Sequence, residues 1–186
     1  MKTPCEKVSV GPNGVRPSMK STTSKFTSRT SWREKLEKQQ EPKLVDVPPS
    51  MERQFGSGKM LIPRPLDVDA LIRTVPRGKL VTVNQIRAQL AAEYAADVTC
   101  PLTTGIFIRI ASEAAEEDRR AGKSRVTPYW RVLREGGCLN EKFPGGIEAQ
   151  AAKLRLEGHA VEAKGRSGAR VRDFEHGLVK WGTRKK

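Results

Sequence analysis

Three cysteines, Cys5, Cys100 and Cys138, carry the readiest nucleophiles in this 186-residue chain. Their number is odd and no two stand at a metal-ligand spacing, so neither a disulfide framework nor a zinc site is expected. Cys100 precedes an apolar helical pattern, where helix-terminal amides lower a thiol pKa. The ordinary reading of Cys100 and of Cys138 is a small buried or half-exposed residue. No metal and no cofactor is expected.

The other feature with chemical consequences is charge. Thirty-five Lys and Arg stand against twenty-one Asp and Glu, a net +14. Residues 1–59 contribute +6, from twelve basic and six acidic residues, and residues 60–186 contribute +8, from twenty-three and fifteen. A chain basic in both parts fits a polyanionic partner, nucleic acid first. RNA is allowed by charge alone, without a motif. No apolar run approaches the roughly 18 residues of a membrane span. The start, Met1 to Gly14, has no apolar h-region, so no secretory signal is expected. These features describe a soluble, monomeric protein of a reducing compartment: cytoplasmic, and nucleoid-associated if bacterial.

The elements that must position any site are read from periodicity. Residues 1–59 are expected to form a disordered basic tail and linker, since their polar composition buries too little to offset chain entropy. Within it, Ser31 and Glu34 have capping-box spacing, which predicts a short helix with Trp32 and Leu36 on one face. Pro48-Pro49 and Gly56-Ser57-Gly58 read as a linker, with the folded domain, residues 60–186, beginning near Met60. A helix near Asp67 carries Val68, Leu71, Ile72 and Val75 and stops at Pro76. Arg77-Gly78-Lys79 is a turn, and Leu80-Val81 is extended. Thr82 with Gln85 opens a second helix through Ile86, Leu90 and Tyr94. A third starts near Thr103, with Ile106, Phe107, Ile110, Ala111 and Ala114. Its end, Glu116 to Arg120, reads as a solvated charged face. A short strand from Trp130 to Leu133 and a turn at Gly136-Gly137 follow. A helix from Ile147 to Glu157 then stops at Gly158. Val161, Ala163 and Val171 alternate around Gly165–Gly168 as a hairpin or wing. The fold class is mainly α with short β pieces, a winged helix-turn-helix-like domain behind the tail.

Val75-Pro76-Arg77-Gly78-Lys79-Leu80-Val81-Thr82, then Thr127-Pro128-Tyr129-Trp130-Arg131-Val132-Leu133, then Pro144-Gly145-Gly146 and Lys153-Leu154-Arg155-Leu156-Glu157-Gly158-His159 occur in a telling order. Over about 90 residues this series resembles the DNA-binding domain of alkylguanine-DNA alkyltransferases. That family moves an alkyl group from a guanine oxygen onto its own cysteine, using a thiolate activated through a His that a Glu polarises. The resemblance puts Tyr129 at the cysteine position and Trp130 at the histidine position, while Arg131 and Glu157 match. A phenol with an ordinary pKa near 10 is scarcely ionised at neutral pH, and an indole relays no proton. The family's transfer chemistry is therefore not expected.

A replaced nucleophile is similar to the alkyltransferase-like branch, which binds alkylated guanine in DNA and holds it for repair proteins. The resemblance implies a non-catalytic binder of duplex DNA, alkylated or not, with a repair-protein partner. Its pocket would be Tyr129, Trp130, Arg131 and Glu157, the aromatic pair either stacking on an extruded base or filling the pocket. The DNA contacts expected are Thr103, Thr104, Arg109, Arg119, Arg120, Lys123 and Arg125. Thr104 or Gly105 falls where the family's base-replacing Arg belongs, and Val83 where its phosphate-rotating Tyr belongs. Two alternatives stand beside this: an interaction protein that keeps the fold without lesion recognition, and an alkyltransferase that uses Cys100.

Overall fold

Ser31 and Glu34 make the reciprocal cap that their spacing predicts. The Glu34 amide donates to Ser31 Oγ over 3.0 Å and the Ser31 amide to Glu34 Oε2 over 2.8 Å. The computed structural model describes residues 30–165 and 168–182. Helix α1, Trp32–Glu37, is too short to persist alone. Packing holds it: Leu36 is 1% exposed, inside the main core. Strand β1, Lys43–Asp46, follows, then helix α2, Pro49–Phe55, and strand β2, Lys59–Ile62, antiparallel to β1.

The expected domain boundary at Met60 is therefore corrected, because it falls inside β2. Residues 30–59 are part of the fold, and the Pro48–Gly58 stretch holds helix α2 and a short bend between paired strands rather than a linker. A proline in its first turn suits α2, where the lost N–H has no helical partner. Leu36, Val47 and Met60 supply the buried surface that a polar average conceals. The rest of the expected tail, residues 1–29, lies outside the described residues.

Helix α3, Pro65–Arg73, buries Val68, Leu71 and Ile72, with Val75 beyond it, as the pattern predicts. It begins two residues before Asp67, whose carboxylate accepts the Arg64 amide. Strand β3, Val81–Thr82, leads into helix α4, Val83–Glu93, through the Thr82–Gln85 capping box. Strand β4, Val98–Thr99, runs parallel to β2 and leads into helix α5, Pro101–Arg120. The link from α4 to α5 thus contains a strand.

Two expectations about α5 fail. Ile106 is 48% exposed, off the buried face formed by Thr104, Ile108, Ala111 and Ala115. The charged end is solvated only in part: Arg119 and Arg120 are exposed, but Glu116 and Asp118 are each 5% exposed. The helical repeat carries the buried stripe straight onto them.

The expected strand at Trp130 starts instead as a 3-10 turn, Tyr129–Arg131, before strand β5, Val132–Leu133, which pairs parallel with β3. Helix α6, Gly146–Leu156, follows, and Gly158 takes φ +91° after it. Strands β6, Val161–Lys164, and β7, Gly168–Val171, form an antiparallel hairpin. A short helix α7, Phe174–Gly177, completes a mixed α/β fold. No helix among the described residues is long and apolar enough to cross a membrane.

Candidate site around Tyr129 and Glu157

The segment carrying Tyr129 is fixed from two sides. Buried Thr127 donates its hydroxyl to Asp69 on α3 over 2.6 Å, and Arg73 holds the other Asp69 oxygen at 2.7 Å. On the far side, Gln150 of α6, 1% exposed, donates to the carbonyls of Trp130 and Val132, both over 3.0 Å. Its own oxygen accepts the Asn140 amide at 2.7 Å. An amide offering two donors and an acceptor in this geometry satisfies backbone groups that the 3-10 turn leaves open.

Tyr129 is 1% exposed, its ring edge-on to Phe143 with centroids 5.2 Å apart. Its hydroxyl donates to Glu116 Oε1 over 2.8 Å. Lys153 Nζ donates to that same oxygen over 2.6 Å and to the Tyr129 hydroxyl over 2.8 Å. Arg119 closes the other side, its Nε 2.8 Å from Glu116 Oε2. Burial pushes the Glu116 pKa up, but hydrogen bonds from Arg119, Lys153 and Tyr129 outweigh it and leave it lowered to about 2. Tyr129 moves the opposite way: burial first, then its bond to the Glu116 carboxylate, raise its pKa far above the ordinary phenol value. This phenol stays neutral at any physiological pH. The Lys153 ammonium also sits 4.6 Å from the Tyr129 ring centroid and 4.8 Å from that of Trp130. It lies at the hydroxyl end of Tyr129, within cation–π reach of both rings.

Glu157 organises the neighbouring half. Trp130 Nε1 donates to it over 2.8 Å, and Arg131 forms a fork to both its oxygens at 2.8 and 2.9 Å. The Gly78 amide adds a 3.1 Å bond from the turn before β3. Burial raises the Glu157 pKa, and bonds from Arg131, Trp130 and Gly78 bring it below its ordinary value. Arg131 reaches on to the Val75 carbonyl at 2.6 Å, joining the end of α3 to the site. The four expected pocket residues, Tyr129, Trp130, Arg131 and Glu157, are thus brought together. Two more belong with them, Glu116 and Lys153. The helical repeat that carries Ser112 onto a buried face places Glu116 four residues further along it, which is the available sequence signal for that residue.

The expected DNA contacts do not gather. Thr104 is fully buried and donates its hydroxyl to the Cys100 carbonyl over 2.7 Å, so it is withdrawn as a contact. Thr103 and exposed Arg109 sit on the first half of α5, whereas Arg119 lies sixteen residues beyond Thr103, about 24 Å along the axis. Arg119 is tied to Glu116, and Lys123 to Asp118 at 2.7 Å. Arg120 and Arg125 are exposed and make no ion pair with the described residues. Cys100 is 8% exposed at the start of α5, buried beside Val47 and Met60. Among the described residues no group of three or more His, Cys, Asp or Glu is placed to hold a metal ion.

Comparison of the chain with family models, curated proteins and solved structures gives no match.

Proposed function

We propose that this chain is a non-catalytic binder of duplex DNA, built like the alkyltransferase-like proteins, that holds DNA without drawing a base into the Tyr129 position. The observation that carries this reading is the Tyr129 hydroxyl, buried and shared between Glu116 and Lys153. A neutral phenol so engaged is no nucleophile, and in this reading its buried ring stands in place of an extruded base. The bond from Trp130 Nε1 to Glu157 supports the resemblance itself. It keeps the donor–acceptor pair expected of the family's His and Glu, with an indole that cannot relay a proton. In this reading α4 and α5 are the helix-turn-helix and the β6–β7 hairpin is its wing. The net +14 supplies the attraction to phosphate.

The test is fluorescence anisotropy on matched duplexes with and without one alkylated guanine, followed by intact-mass measurement. Equal affinity for both, no mass gain, and a log–log salt slope of roughly −4 to −5 for about 4–6 phosphates are expected. A mass increase, or a marked preference for the alkylated duplex, overturns the reading. A second reading, a protein-interaction module, is favoured by one observation. Leu102 and Ile106, 70% and 48% exposed, stand one turn apart on α5, where the resemblance expects a DNA-contacting face. Absence of any duplex binding at low salt would select it.

A further inference from the structure

The segment after α7 is pinned across the start of β3 by backbone and side-chain bonds. The Leu80 amide donates to the Gly177 carbonyl over 2.9 Å, and the Val179 amide donates to the Leu80 carbonyl over 2.8 Å. Gln85 Nε2 donates to the Val179 carbonyl at 3.1 Å, and Trp181 Nε1 to Thr74 Oγ1 at 3.3 Å. Lys180 therefore stands between two anchors. Lys79 is equally fixed: it follows Gly78, at φ +74°, whose amide is held by Glu157, and it precedes fully buried Leu80. The two lysines line one cavity of about 590 Å³ with Pro76, Glu175, His176, Leu178 and Val179. Both are exposed, and neither makes an ion pair with a described residue, unlike Lys59, Lys123 and Lys153. Exposed Arg77 adjoins them, and among the described residues its side chain makes only a 3.4 Å contact to the Leu156 carbonyl. Among the described residues, Glu175 is the single acid in the cavity wall.

We infer that Lys79 and Lys180, with Arg77 beside them, form a contact surface for the phosphodiester backbone of duplex DNA. The inference rests on the proposed DNA binding and locates part of it away from both α5 and Tyr129. The chemistry favours a backbone over a captured ion. The site is open and offers long ammonium stems rather than a convergent ring of backbone amides, which suits point-charge contacts along a phosphate track. The anchors fix the main chain at both positions before binding, so less backbone ordering remains for the complex to impose.

The experiment compares the full chain with two double variants, Lys79→Ala/Lys180→Ala and Arg120→Ala/Arg125→Ala. Binding to a labelled duplex of unmodified sequence is followed across about 50–200 mM salt. All four side chains are exposed and free of ion pairs with described residues, so unchanged thermal melts are expected for both variants. The lysine pair should weaken binding and make the log–log slope shallower by about 2, one unit for each lost phosphate contact. The inference fails if the parent binds and the lysine variant keeps the parent's slope, whatever the arginine variant does. If the parent shows no binding even at the lowest salt, the DNA reading itself fails and takes this surface with it.

Discussion

Lys153 lies 2.8 Å from the Tyr129 hydroxyl while both donate to one oxygen of Glu116, a closed triangle of an ammonium, a phenol and a carboxylate. Arg119 on the second oxygen leaves Glu116 fully compensated although it is 5% exposed. Two helices, α5 and α6, meet the Tyr129 turn through these bonds.

Replacing Lys153 by Met should therefore be costly. The change keeps the stem and removes the charge, leaving Glu116 with only Arg119 and the Tyr129 hydroxyl, at a cost of about 1–3 kcal/mol. Chemical denaturation should show a loss of that order. Adding Glu116→Gln should recover part of it, so the double-mutant cycle gives a coupling well away from zero. Additive losses would mean that the triangle is not energetically closed.

Acid should separate the parent from Glu116→Gln. In the fold Glu116 stays ionised down to about pH 2, whereas an unfolded glutamate protonates near 4.5. Its contribution is complete above pH 4.5, drains away as pH falls through that value, and is gone below about 2. Glu157, Asp67 and Glu162 are lowered too, so both proteins lose stability in acid. The parent should lose more, with the excess confined to that window. Parallel urea midpoints across it would show otherwise.

The amino-terminal part of the fold can be tested by subtraction. Leu36→Ala should cost about 2–4 kcal/mol, as for other fully buried leucines. A chain starting at Met60 loses Leu36 and the β1 partner of β2 together, and should show no cooperative thermal transition. A sharp melt from that shortened chain would restore the boundary at Met60.

Introducing a thiol at Tyr129 should not by itself confer alkyl transfer. In Tyr129→Cys the neighbouring ring is still Trp130, whose only nitrogen donates to Glu157 and accepts nothing. Tyr129→Cys with Trp130→His places an imidazole against the same carboxylate. Incubated with an alkylated-guanine duplex, the double variant should gain mass faster than the single one. Rapid stoichiometric gain by the single variant would show that a neighbouring imidazole is not what limits the transfer.

Local signals were legible in the chain. The Ser31–Glu34 and Thr82–Gln85 caps, the buried face of α3 and the left-handed Gly158 follow from residues a few positions apart. Trp130 and Arg131, expected to share a site with Glu157, both donate to its carboxylate. The misses share a physical cause, because a carboxylate reads as solvated until its distant cations are known. Glu116 needs Lys153, and Asp118 needs Arg33, eighty-five positions away. The same holds for residues 30–59, whose sparse apolar side chains become core only when β2 pairs with β4 and α1 meets α5.

The first amides of α1 find their acceptor in Glu117, with the Trp32 and Arg33 amides 3.0 and 2.9 Å from its two oxygens. A helix of six residues cannot wait in helical form for a partner still to be synthesised. As the chain leaves the ribosome, α1 therefore stays unformed until most of α5 has emerged. Glu116, on the next turn of events, stays uncompensated on one side until Lys153 follows. Docking of the earliest described helix is thus a late step of assembly, and a chain stalled before residue 117 would present Trp32 and Leu36 to whatever chaperone is nearest.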